Sequence, residues 1–198
     1  AAYIYKRNGT TWGDEQKITA GDRQAQDSFG QSVSLSGDYA IVGAQGEDAS
    51  GSDNKGAAYI YKRNASTGVW GDEQKITAGD RQTQDNFGYS VSLSGDYAIV
   101  GAWRKNSYTG AAYIYKRNGT TWSQQQKIEA SDKASGDRFG ESVSIDGDYA
   151  IVSGEGDNNY TGAAYIFKRD TNAETWTQQD KLTASDGQES SWYGVSAS

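Results

Sequence analysis

The chain has 198 residues, a formal net charge of −7, 25 glycines and only 35% apolar residues, with no cysteine, histidine, methionine or proline. These features exclude disulfides, thiol chemistry, the usual catalytic triads and metal–histidine sites. They also argue against nucleic acid and anionic membranes, since no basic stripe displaces counterions, and no apolar run approaches the roughly 18 residues of a membrane span.

AAYIYKRN opens the chain at 1–8, a strand with apolar side chains on both faces until its Lys-Arg end. A more polar strand with W…QKI follows near 12–18. After an acidic connection (AGDRQAQD, 20–27) comes FGQSVSLS at 29–36. There Val33 and Leu35 share one face and Ser32 and Ser34 the other, the period of a strand. Ser36-Gly37 reads as a hairpin turn, replaced by Asp146-Gly147 in a later copy. DYAIVGA (38–44) is compact and apolar, as for a strand covered on both faces. A variable loop (45–55) leads to GAAYIYKR (56–63), the opening phrase again, with Tyr59, Tyr61 and Arg63 on one face and Ala58, Ile60 and Lys62 on the other. VWGDEQKIT (69–77) belongs on an outer edge, where charge discourages unwanted pairing.

The same order returns twice more. AAYIYKRN stands at 57–64 and 111–118, and AAYIFKRD at 163–170. A period of roughly 50 residues built from four strand-like phrases predicts an all-β fold, a β-propeller of four-stranded antiparallel blades. About four blades fit in this chain, with an incomplete terminal blade. Third-plus-fourth strand pairs fall near 1–19, 57–77, 111–129 and 163–183. First-plus-second pairs fall near 29–44, 87–102 and 139–153, and a lone first strand (WYGVSAS) falls at 192–198. Three readings of the ends stand side by side. The chain is a segment of a longer array, which is the preferred reading, or it closes alone, or it self-associates to complete its terminal blades.

The phrases FG…SVS…GDYAIVGA…GAAYIY carry a resemblance. The chain resembles the FG-GAP repeat family, the blades of integrin-α-like propellers, and looks closest to its bacterial branch. The FG element is Phe29-Gly30, Phe87-Gly88 and Phe139-Gly140, altered to Trp192-Tyr193-Gly194 in the last copy. The GAP element is Gly43-Ala44, Gly101-Ala102 and Ser153-Gly154, each without its proline. The resemblance spans the whole chain as one propeller, with units at about 29–86, 87–138 and 139–191 and partial units at 1–28 and 192–198. It implies an extracellular or cell-surface adhesion module. The family's D-x-D-x-D-G calcium loop is absent: only SGD or DGD stands between first and second strands, so no cofactor is assigned.

Two sets of residues are candidates for function. In the acidic connections, Asp22 and Asp27, Asp80 and Asp85, and Asp132 and Asp137 are paired. They read either as cation ligands or, preferably, as scaffold carboxylates bonded to their own loops. The loops after the second strands are where the copies differ. They place Trp103, Arg104, Asn106, Tyr108, Asn159 and Tyr160 on the same end of the propeller, a mixture suited to a protein ligand or a glycan. The Lys-Arg strand ends are expected to pair with carboxylates such as Asp14-Glu15 and Asp72-Glu73. The N-x-S/T sequences at Asn8, Asn64, Asn118 and Asn159 are plausible glycan acceptors only in a eukaryotic secretory host, and three lie in equivalent hairpin turns. Carboxylates that recur with the scaffold argue against an enzyme. The expected function is binding of a protein through the variable loops. A lectin-like module and a structural subunit of an array are the alternatives.

Overall fold

The computed structural model describes residues 1–48, 53–188, 193–194 and 196–197. Within them the chain forms three four-stranded antiparallel blades and one two-stranded half-blade. The half-blade is β1 (Ala2–Asn8) with β2 (Thr11–Ile18). The first full blade runs β3 (Val33–Ser36), β4 (Tyr39–Ala44), β5 (Ala57–Arg63) and β6 (Trp70–Ile76), in that spatial order. The second comprises β7 (Val91–Ser94), β8 (Tyr97–Ala102), β9 (Ala111–Asn118) and β10 (Thr121–Ile128). The third comprises β11 (Val143–Asp146), β12 (Tyr149–Gly154), β13 (Ala163–Asp170) and β14 (Thr175–Leu182). This is the β-propeller arrangement, with meandering strands and the polar fourth strand at each outer edge. The lone strand expected at 192–198 lies partly outside the described residues, and those described there, 193–194 and 196–197, are not in a strand.

The core lies between blades. One face of each blade packs on the opposite face of the next, so Tyr39, Ile41 and Ile60 meet Val91, Leu93, Tyr113 and Trp122. The next junction repeats the set with Tyr97, Ile99, Ile114, Val143, Ile145, Tyr165 and Trp176. Two-sided apolar strands are therefore required, and β5, β9 and β13 supply them. Phe87 and Phe139 of the FG elements are fully buried and set edge-on against Tyr113 and Tyr165, with ring centroids 5.5 and 5.3 Å apart. Gly101 is dictated by this packing, because a Cβ there would stand 2.0 Å from the carbonyl oxygen of Gly140.

Polar bonds lock the same junctions. Gln16, Gln74 and Gln126, in the fourth strands β2, β6 and β10, clamp the next blade. Each accepts from the backbone N–H of the following tryptophan (Trp70, Trp122 and Trp176). Gln74 and Gln126 also donate to that tryptophan's carbonyl, and Gln16 donates to Gly68. On the inner strands, Ser34 and Ser36 accept from Leu93 and Gly95, and Ser92 and Ser94 accept from Ile145 and Gly147.

Two local expectations are corrected. Ser36 pairs with Tyr39, so the hairpin loop is Gly37-Asp38 and not Ser36-Gly37; likewise Asp146 pairs with Tyr149 across Gly147-Asp148. Within these two-residue loops only the glycine (Gly37, Gly95 or Gly147) has a positive φ, which suits a turn with glycine first. The arginines ending the third strands take the aspartates of these turns rather than Asp14-Glu15 or Asp72-Glu73. Arg63 binds Asp38, Arg117 binds Asp96 and Arg169 binds Asp148. The second strand lies beside the third, so its turn is the nearest carboxylate. Glu15 and Glu73 instead accept from the hydroxyls of Tyr5 and Tyr61.

Candidate ligand-binding surface

The acidic connections and the loops after the second strands meet at one end of the propeller, as Gly46 N–H bonding to Asp27 O and Ser135 Oγ bonding to Ser107 O show. The paired aspartates there have separate duties. Asp27, Asp85 and Asp137 are buried, and each accepts a backbone N–H from its own loop, from Gln24, Gln82 and Ala134. Asp22 accepts from the Tyr59 hydroxyl at 2.7 Å and from Lys75 Nζ at 2.6 Å. Burial alone would raise the Asp22 carboxyl, but these bonds outweigh it and hold it below the usual carboxylate range. Asp80 takes Tyr113 and Lys127 in the same way, and Lys181 reaches Asp132 at 2.7 Å. Among the described residues no cluster of three or more acidic side chains is arranged to hold a metal ion. The turns where the family's calcium loop would sit do not fit one either. They offer one or two aspartates each, one of them already held by an arginine, against the about six to eight oxygens calcium requires.

Beneath this end lies an ion-pair hub whose sign changes from blade to blade. Its central position is Glu47, Lys105 and Asp157 in successive blades. Buried Glu47 binds Lys75 at 2.5 Å and Arg81 at 2.8 Å, and Asp157 binds Lys181 at 2.8 Å. The middle blade reverses the charge: buried Lys105 binds Asp85 at 2.8 Å and lies 3.5 Å from Asp80. Lys127, which would repel Lys105, turns to Glu129 at 3.0 Å, where the neighbouring repeats carry Thr77 and Thr183.

Above the hub, the last two blades build an aromatic cleft of about 370 Å³, lined by Trp103, Arg104, Tyr108, Arg138 and Tyr160 with Ser107 and Ser135. The Trp103 ring is the floor. Tyr89 and Tyr108 lie 5.6 and 5.5 Å from it. Arg104 stacks 4.7 Å over Trp103, and Arg138 sits 5.4 Å from Trp103 and 5.2 Å from Tyr160. Trp103 Nε1 and Arg104 Nε are buried without a protein partner. Tyr108 and Tyr160 project because the backbone runs left-handed through Asn106, Ser107 and Tyr108, and through Asn158, Asn159 and Tyr160. Asparagine tolerates that conformation best among residues with a side chain, which accounts for Asn106, Asn158 and Asn159. Behind the cleft Arg138 pairs with Glu155. Burial, and then the Glu155 carboxylate, push Glu141 up to about 7.

Four of the six predicted loop residues, Trp103, Arg104, Tyr108 and Tyr160, therefore converge on one cleft, while Asn106 and Asn159 set the backbone that carries it. Arg138, Tyr89 and Glu141 escaped the sequence reading, whereas Glu155 opens the variable loop at 155–161. Each of the three breaks the repeat at a single position (Ser28, Asn86 and Arg138 precede FG, while Gln31, Tyr89 and Glu141 follow it), and that column-wise contrast is the signal that reveals them.

This fold of meandering four-stranded blades, with the FG phenylalanines Phe87 and Phe139 buried and Phe29 half-buried, defines a β-propeller repeat module. The family model described as FG-GAP repeat matches residues 12–61, 70–115 and 122–167, well over half of the sequence, and the chain belongs to that family. A comparison with curated proteins gives no match.

Proposed function

We propose that the protein is an extracellular or cell-surface interaction module that binds a protein ligand through the cleft of Trp103, Arg104, Tyr108, Arg138 and Tyr160. One observation carries this reading. The cleft is where the repeat symmetry fails, and it fails toward aromatic and arginine side chains, the types that dominate binding hot spots. The buried, unpartnered Trp103 Nε1 and Arg104 Nε support it, since a ligand acceptor would remove their desolvation cost. Catalysis is not part of the proposal, because the cleft presents arginines and rings rather than a paired acid and base on its open side.

The test is a double Tyr108→Ala/Tyr160→Ala variant assayed against a panel of purified extracellular proteins by surface binding. Both rings are about two-fifths exposed (40% and 41%), so the melting temperature should hold while binding falls. Full retention of binding by the variant, or no binding by the parent chain to any of the panel, would overturn the reading. The second reading, a lectin-like site, is favoured by one observation: two half-exposed tyrosines flank a cleft with free donors, a geometry that stacks sugar rings. A glycan array, run with and without calcium, decides it.

A further inference from the structure

The position just before the hub residue sets the middle blade apart from its neighbours. It is Gly46 in the first full blade, Arg104 in the second and Gly156 in the third. Both glycines are pressed onto the acidic connection. Their N–H groups bond to the carbonyls of Asp27 and Asp137, and a Cβ at either would overlap the carbonyl oxygen of Gln26 or Gly136. Among the described residues no such bond joins Arg104 to Asp85. The middle blade thus gives up a scaffold contact where it seats a guanidinium. The cations around it are paired, Lys105 with Asp85 and Arg138 with Glu155, whereas Arg104 makes no ion pair among the described residues. Its Cζ lies 4.7 Å over the Trp103 ring and 5.5 Å from the Tyr108 ring, and its Nε is buried without a protein partner. A guanidinium that meets rings through its face keeps its N–H edge for an acceptor in its own plane.

We propose, resting on the reading of this cleft as a protein-binding site, that its ligand is anchored by an aspartate or glutamate side chain whose carboxylate docks on the Arg104 fork. Charge selects the anion. Arg138 shares its charge with Glu155, and Glu141 lies beside that pair, so among the described residues lining the cleft Arg104 alone is an uncompensated cation. One negative charge matches it, whereas a phosphate dianion would bring a second charge toward two glutamates. The rings select what stands next to the carboxylate. Tyr108 and Tyr160 are half-exposed and line the same cleft, so an apolar residue beside the acid packs on them. The chain's net charge of −7 gives no general attraction for acidic proteins, so selection rests on this one charge-assisted contact.

The probe is a displayed library of random short peptides selected against the full chain, the best binder then being synthesised and titrated by fluorescence anisotropy. We expect the selected sequences to share an Asp or Glu beside an apolar residue. Replacing that acid by its amide leaves the protein untouched and should weaken binding by about tenfold or more. Arg104→Gln should weaken the acidic peptide as much and bind acid and amide peptides alike. A merely structural role for Arg104 would lower both peptides together, and a preserved acid-to-amide ratio would overturn the proposal. Binders that fail on Tyr108→Ala/Tyr160→Ala yet need no acid would overturn it too, while leaving the protein-binding reading in place. Absence of any selectable binder, or binders indifferent to the tyrosine variant, would overturn both. Tighter binding with phosphoserine in place of the acid would make a phosphate the ligand. Displacement of the peptide by uronic-acid oligosaccharides, lost in Arg104→Gln, would make an acidic glycan the ligand; either result overturns the proposal.

Discussion

Lys105→Glu restores to the middle blade the charge its neighbours carry, and it should be severely destabilising by itself. The Lys105 and Asp85 side chains are 2% and 4% exposed and meet at 2.8 Å. Breaking a buried pair costs about 3–5 kcal/mol, and a carboxylate placed beside Asp85 and Asp80 puts the change at the upper end. Glu129→Thr alone removes partly exposed pairs to Lys127 and Lys133 and should cost about 1 kcal/mol or less. The double variant recreates the arrangement of the preceding blade. There Glu47 is held by Lys75 and Arg81, whose counterparts are Lys127 and Lys133, and both are released once Glu129 is gone. The double variant should therefore recover much of the loss, with a coupling of about 2–3 kcal/mol. Urea unfolding of the four proteins, followed by tryptophan fluorescence, measures it. Additive losses would refute the reading of Lys105 and Glu129 as one compensated charge reversal.

Further outcomes follow from the same packing. Tyr59→Ala empties a fully buried site between blades and strands the Asp22 bond; it should cost about 3–5 kcal/mol by denaturant titration, and a loss below about 1 kcal/mol would contradict its placement. Gly101→Ala forces a methyl against the Gly140 carbonyl and should cost about 1–3 kcal/mol, with the melting temperature as readout. Folded Glu141 keeps its proton to about pH 7, against a reference value of 4.5. The folded state thus binds more protons between those values, and stability falls as pH rises through the window. Glu141→Gln should remove that fall, adding about 1 kcal/mol at pH 8 after allowance for solvent screening and little at pH 4; an equal effect at both would show that the charge is not the cause.

The blades were legible because four phrases recur in fixed order and each has a period-2 pattern or a two-sided apolar run. Boundaries inside the phrases were less so. The loop at Gly37-Asp38 is ambiguous by one residue in the sequence because Ser-Gly and Gly-Asp are both credible turns, and only the pairing of Ser36 with Tyr39 separates them. For Arg63, Arg117 and Arg169, chain proximity points to the following fourth strand, whereas sheet order places the preceding turn alongside. In the cleft, Trp103, Tyr108 and Tyr160 were visible because whole loops differ between copies. Arg138 and Glu141 were hidden because they flank an FG element that otherwise repeats. The hub was hidden for a further reason: Glu47, Lys105 and Asp157 look like unrelated loop residues until their shared position in space shows one site with its charge reversed.

The clamp from each fourth strand to the next tryptophan bears on what a repeat is in this molecule. The family segments run 12–61, 70–115 and 122–167, from a fourth strand through the following blade's third. The unit of sequence is thus out of phase with the sheet. It straddles the seam, carrying Gln16 or Gln74 or Gln126 at its start and ending in the strand that bears Tyr61, Tyr115 or Phe167. Tandem copying of such a segment reproduces the joint between blades along with the strands, so an array built from it extends by adding seams already matched on both sides.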